Sequence, residues 1–252
     1  MERQPNDLGS SAGPDISARV SLLSTLNAPF LGHMIRAFSA SGIPIDSVIL
    51  DSKLESTKDL AIHEERTRGR FPQVPLHEFE AQYIPIFSVA HHSSDVTAEL
   101  VRKRQIDLLI NAGTPRILRS NVLGSPRIGV LSCHPGLLPS LRGCTCVEWA
   151  VYLDEQVGNT VYFMNESIDG GPIVLKEGLV FRKTDTYVDV RTSVYQNGLR
   201  LLTQGVKKVI TEGLTPRSLE AQGEGRYYRV IDAEKMQQVV AKLQGGDYAY
   251  QE

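Results

Sequence analysis

Two short stretches concentrate side chains able to move protons: Ser132-Cys133-His134, which runs into Pro135 and Pro139, and Asn165 to Gly171, which carries Asp169 before a glycine pair. A histidine at a strand end and an aspartate in a Gly-rich loop form an acid-base pair if the fold lets them meet. The carboxylate raises the imidazole pKa and orients the ring, which can then donate to an oxyanion or pass on a proton. Each residue also has a plainer role open to it, His134 as a core or turn histidine and Asp169 as an Asx-turn cap in IDGG. A different chemistry would follow if Cys133, His134, Cys144 and Cys146 acted together on zinc or in a redox step. Their order does not match the usual spacing of thiolate and imidazole ligands, so no metal is expected.

These side chains need a scaffold, and the chain around them alternates strand and helix signals. VSLLSTL (Val20 to Leu26) is a continuous apolar run suited to a buried parallel strand, and a helix-period segment through Phe30, Ile35 and Phe38 stops near Gly42. SVILD and IPIFSV read as strands, VTAELVRKR as a helix capped by Ser93 or Ser94, and DLLINAG and IGVLSC as two further strands. The series predicts an α/β, Rossmann-like, mostly parallel sheet with helices on both faces and its crevice outside the carboxyl ends of the strands. Three loops are expected there: NAGTPRIL, CHPGLLPSLRG and NESIDGGPI. A strand (IVLKEGLVF), a long helix from about Thr186 to Glu212 and a tail with RYYRV and a helix near Ala233 to Leu243 follow. The expected organisation is a loose polar tail over residues 1–18, a catalytic domain over 19–213 and a short C-terminal extension over 214–252.

Composition removes several function classes. With 27 Lys and Arg against 29 Asp and Glu, the net charge of -2 offers no footprint for a polyanion, so no nucleic acid partner is expected. No apolar run approaches the about 18 residues that span a bilayer, and the start lacks an apolar leader core, so no membrane partner is expected. Three cysteines, an odd number, do not make a secreted disulfide framework, and a cytoplasmic location is expected. His91-His92 and Glu64-Glu65 read as solvated loop and helix faces.

Taken together, DLLINAGTPRIL, SCHPGLLPSLRG, EWAVYLDE and TVYFMNESIDGGPIV resemble the folate-dependent formyltransferases, a family that includes methionyl-tRNA, glycinamide-ribonucleotide and nucleotide-sugar formyltransferases. The resemblance is strong over about Ile106 to Glu177, and the pairing of HPGLLP with IDGGPI carries it. It implies transfer of a formyl group from 10-formyltetrahydrofolate to an amine. The family's catalytic His and Asp fall on His134 and Asp169, but its Asn falls on Ser132, whose hydroxyl reaches less far toward the formyl oxygen. Asn111 could supply an amide instead, or simply end its strand. Tyr162 stands where many relatives carry a histidine. The implied mechanism is attack by an unprotonated amine, with protonated His134 stabilising the tetrahedral oxygen and Asp169 holding that proton. By the same resemblance, the pterin lies against Arg116, Ile117 and Leu118, with backbone groups from Asn165, Glu166, Ser167 and Ile168 meeting its polar edge; core packing is the plainer role for Ile117 and Leu118.

The acceptor is narrowed by parts this sequence lacks. STLNAPFLG after the first strand is not a glycine-rich phosphate loop, and the residues after the long helix are not a basic domain for tRNA. The expected partner is a small-molecule amine, such as an amino sugar on a nucleotide or another biosynthetic amine. RYYRV could stack on an acceptor or pack a homodimer. A non-catalytic folate binder and an enzyme using another one-carbon or acyl donor remain as alternatives.

Overall fold

All six residues of β1 (Val20–Thr25) are buried, as a strand covered on both faces requires of an apolar run without alternation. Its serines are satisfied inside the sheet: Ser21 Oγ meets Ser47 Oγ at 2.7 Å and Ser24 Oγ donates to the Ala112 carbonyl at 2.7 Å. The chain continues through α1 (Leu31–Ala40), β2 (Ile45–Asp51), α2 (Thr57–Thr67), β3 (Ile86–Val89), α3 (Asp95–Lys103), β4 (Leu108–Asn111), α4 (Ser120–Leu123) and β5 (Gly129–His134). These five strands pair in the order β3-β2-β1-β4-β5, all parallel. Next come β6 (Leu141–Gly143), α5 (Cys146–Leu153), β7 (Gly158–Phe163), β8 (Ile173–Gly178), α6 (Tyr187–Glu212), β9 (Arg226–Tyr228) and α7 (Ala233–Gly245). Strand β7 joins the far side of β5 antiparallel and β8 joins β7 antiparallel, which completes a seven-stranded, mostly parallel sheet. The computed structural model describes residues 18–252, so the tail expected over residues 1–18 falls outside it except for Ala18.

Helices cover both faces. On α1, Leu31, Met34, Ile35 and Phe38 are buried at helical spacing, and they pack with Leu22, Leu50, Ile110 and the Leu201–Val209 half of α6. On the other face, Ala98 and Val101 of α3 and Val122 of α4 pack on Leu23, Ile49, Leu109 and Val130. Ser94, rather than Ser93, caps α3 through Thr97 N, while Ser93 Oγ donates to the Ile117 carbonyl at 2.6 Å. The 26-residue α6 begins with a Thr186/Asp189 capping box and ends at Gly213, whose φ is 64°.

A third core lies beside the sheet, where Val147, Ala150 and Val151 of α5 meet Val190 and Val194 of α6 and Val239 and Leu243 of α7. The C-terminal extension is therefore packed on the catalytic half, and RYYRV is engaged within its own chain. Strand β9 pairs with β6, and Tyr228 packs on Trp149 with ring centroids 5.1 Å apart. Among the described residues no helix is long and apolar enough to cross a membrane. His92 corrects its sequence reading as a solvated loop residue. It has no exposed surface, because its ring nitrogens bond Thr114 Oγ1 at 2.6 Å and the Ile49 carbonyl at 2.9 Å and its N–H is held by Asp51.

Candidate active site

Residues two apart on a strand share a face, so β5 presents Ser132 and His134 on one side of the sheet and Cys133 on the other. Across the ladder, Tyr162 stands opposite Ser132 and Thr160 opposite His134. Thr160 Oγ1 donates to the Gly136 carbonyl at 2.7 Å and accepts from Leu138 N at 3.1 Å, which fixes the loop leaving His134. Because β7 is antiparallel, its carboxyl end lies beside Leu131, and Met164 N donates to the Val130 carbonyl at 2.7 Å. NESIDGGPI thus leaves the opposite end of the ladder from the other two loops, contrary to the sequence reading, and has to fold back to reach His134. Asp169, with φ of 50°, sits in that return.

Its carboxylate is held on three sides. Oδ2 accepts the Gly143 N–H at 2.8 Å and lies 3.6 Å from His134 Nδ1, while Oδ1 accepts the Tyr162 hydroxyl at 2.9 Å. Gly143 is required there: its φ is 94° and a Cβ would fall 2.3 Å from the Tyr228 carbonyl of β9. The C-terminal extension contributes again through Gln222, whose Nε2 donates to the carbonyls of Asp169 and Gly171 at 3.2 and 2.5 Å while Oε1 accepts from Arg142 at 2.9 Å.

His134 is 6% exposed and donates from Nε2 to the Leu141 carbonyl at 2.7 Å. Burial pushes its pKa below the ordinary histidine value, and the opposing pull of Asp169 and the Leu141 carbonyl does not cancel that. The resting imidazole is therefore neutral, with Nδ1 free to take a proton toward Asp169.

Ser132 is equally buried and accepts from Asn111 Nδ2 at 3.1 Å. Asn111 Oδ1 accepts the N–H groups of Gly113 and Thr114 at 3.1 and 2.9 Å, which sets the amide orientation. Asn111 thus both ends its strand and brings an amide to Ser132, whose O–H lies beside the Tyr162 hydroxyl. Burial and the Asp169 charge push the Tyr162 phenol far above its ordinary pKa, so it stays a hydrogen-bond donor. Removing that donor in Tyr162→Phe leaves Asp169 Oδ1 unpaired and strengthens its pull on a His134 proton. We expect a roughly threefold to tenfold lower kcat and a His134 titration displaced upward, read by the pH profile and by imidazole NMR.

The residues expected against a pterin separate into two groups. Asn165, Glu166, Ser167 and Ile168 are all exposed, and Ile117 is 73% exposed. Leu118 is corrected from a ligand contact to a core residue, 3% exposed and packed in the same cluster as Met164. The Arg116 guanidinium is committed to Asp51 at 2.9 Å. Burial would raise the Asp51 carboxyl, but Arg116 and the N–H groups of Lys53 and His92 hold it at about 2.

Among the described residues, no group of three or more His, Cys, Asp or Glu side chains is gathered to hold a metal ion. Cys133 faces away from His134, into a cavity of about 260 Å³ between α1, α6 and the ends of β4 and β5, and burial pushes its thiol up to about 12. Sequence reasoning missed the charges behind that cavity. Glu148 of α5 is 1% exposed and lies 3.6 Å from Arg66 and 3.7 Å from the buried Arg191 of α6, which donates to the Tyr195 hydroxyl at 2.6 Å. The available signal was a lone arginine in the apolar stripe Val188, Val190, Val194.

The mostly parallel sheet flanked by helices agrees with comparison to known proteins. The family described as formyl transferase matches residues 19–206. Methionyl-tRNA formyltransferase of Pelotomaculum thermopropionicum is 31% identical over 156 residues, covering 60% of this chain and 49% of that protein. The chain thus spans about half the length of the curated relatives it matches. Glycinamide ribonucleotide transformylase 1 from Symbiobacterium toebii superposes with a TM-score of 0.59 at 22% identity, over 85% of this chain and 94% of that one. A sugar N-formyltransferase from a Shewanella species superposes with a TM-score of 0.55 at 18% identity, over 84% and 77%. At these identities the superpositions establish the fold, whereas the match over residues 19–206 establishes descent: the chain belongs to the formyl transferase family.

Proposed function

We propose that this protein transfers a formyl group from 10-formyltetrahydrofolate, the family's formyl donor, to an amine on a small molecule. The observation that carries the reading is the meeting of His134 and Asp169 at 3.6 Å beside the Asn111–Ser132 pair, on a scaffold of formyl transferase type. The donor supplies an activated formyl carbon. The Ser132 hydroxyl, oriented by Asn111, donates toward the oxygen that gains charge as the amine adds. His134 takes the amine proton at Nδ1, where Asp169 stabilises it, and returns it to the departing nitrogen. Tyr162 and Gly143 keep Asp169 in place during both transfers. For the donor, the exposed backbone of Asn165 to Ile168 offers polar groups and Ile117 an apolar surface, while Arg116 and Leu118 shape that wall from behind.

The test is incubation of the protein with 10-formyltetrahydrofolate and a panel of amines, following folate release together with the mass gain of one formyl group on the amine. A product of that mass supports the reading. Folate release without a formylated amine, or no release at all, overturns it.

A further inference from the structure

The cavity on the opposite face of β5 has features that select what can occupy it. It ends at Asn111, Ser132 and Pro135, so it opens beside the proposed reacting centre, while its walls come from Phe30 and Met34 of the α1 side and Tyr195, Leu199 and Leu202 of α6. Among the described residues, none that lines it carries a formal charge. The Tyr195 hydroxyl is already taken by Arg191, so this residue offers its ring, packed against Phe30 with centroids 4.8 Å apart. A phosphate placed here would lose its hydration with no cation to replace it.

Gly198 lines the same cavity where α6 comes closest to β5 and β7. It lies in the interior of α6, where glycine costs about 0.5–1 kcal/mol relative to alanine. A Cβ there would meet Asn159 Nδ2 at 3.1 Å and Cys133 Sγ at 3.6 Å, both groups of residues that line the cavity. A side chain at this position would crowd Asn159 and Cys133 on the cavity wall, so the bare backbone lets α6 approach β5 and β7 closely there.

Resting on the formyl-transfer reading, we propose that this cavity seats the acceptor, that the acceptor is a primary amine on an uncharged, largely apolar body, and that Gly198 sets the size it admits. In the transfer, the lone pair of the acceptor nitrogen forms the new bond to the formyl carbon and the bond from that carbon to the folate nitrogen breaks. The proton lost by the acceptor nitrogen ends on the folate nitrogen.

The experiment compares benzylamine and isoamylamine with glucosamine 6-phosphate and a nucleotide-linked amino sugar, each with 10-formyltetrahydrofolate and mass detection of product. The apolar amines are expected to show about tenfold or greater advantage in kcat/KM, and Gly198→Leu to raise their KM about tenfold to a hundredfold. Gly198→Ala should give a smaller rise in the same direction, and thermal unfolding checks that both variants fold. Saturation-transfer NMR of benzylamine on the unaltered protein and on Gly198→Ala reports occupancy without turnover. A preference for the phosphorylated or nucleotide-linked amine, or an unchanged KM in both folded variants, overturns the cavity assignment while formyl transfer stands. Failure of every amine to be formylated overturns both.

Discussion

Asp169→Asn is expected to lower kcat/KM by about three orders of magnitude, and His134→Ala to lower it by a similar factor, with the folded structure retained in both. The first substitution keeps size and shape but removes the charge that stabilises a proton at His134 Nδ1, 3.6 Å away. Burial already holds the His134 pKa below its ordinary value, and Asp169 is the largest force acting against that. Without it the imidazole becomes harder still to protonate, so the proton relay fails. The double variant should be no worse than the poorer single variant by more than a small factor, because the two side chains act as one unit. Steady-state kinetics on the three proteins checks this. Independent, multiplicative losses would show that they do not work as a pair. The same burial has a consequence for stability. A histidine whose folded pKa lies below its unfolded value binds more protons when unfolded, so His134 costs stability as pH falls below about 6.5 toward that folded pKa. Replacing it with a neutral residue of similar size should flatten that part of the pH-stability curve.

Glu148→Gln should produce the largest loss of stability, about 3–5 kcal/mol, read from urea or thermal unfolding. Burial raises the Glu148 carboxyl, but Arg191 and Arg66 outweigh it and keep the group ionised. Arg191 is itself 3% exposed, and its other close partner is the neutral Tyr195 hydroxyl. Removing the carboxylate leaves that guanidinium buried without its counter-charge. The geometry gives little reserve: Glu148 Oε2 and Arg191 Nε make no hydrogen bond, and the Tyr187 hydroxyl, which donates to Glu148 Oε1 at 2.5 Å, would face an amide instead. A paired Glu148→Met and Arg191→Met variant should recover much of the loss, because two apolar chains can occupy the space that two unpaired polar groups cannot. If Glu148→Gln unfolds at the same denaturant concentration as the parent chain, the buried pair contributes nothing to stability. Since Arg191 also fixes Tyr195 at the cavity wall, the same substitution is expected to raise KM for the acceptor more than it lowers kcat.

Local signals carried a good deal of this molecule. The unbroken apolar run of β1, the helical period through Ile35 and Phe38, a cap at Ser93 or Ser94 and the long helix starting near Thr186 are encoded within a few residues each, so the alternating scaffold was legible in the chain alone. His134 and Asp169 were likewise visible as residue types in unusual loops. Their meeting was not derivable from spacing. It depends on β7 running antiparallel to β5, on a loop that folds back, and on Gly143 and Gln222, which come from β6 and the C-terminal extension. Pairing direction is decided by contacts between segments far apart in sequence, and no local pattern reports it.

The remaining differences have the same origin. His92 looked solvated beside His91, yet it is sealed by Asp51, Thr114 and Ile49, which lie on other strands and loops. Leu118 looked available to a ligand, and the packing of α3 and α4 buries it. The protonation state of His134 is set by how completely the fold removes water from it, a property of the assembled core rather than of the residues beside it in the chain. The sequence by itself determined the elements and the chemical types able to act. Only the tertiary structure decided which of them touch and that, among the described residues, those lining the cavity beside them carry no charge, because burial and strand direction arise from contacts that exist only once the chain has folded.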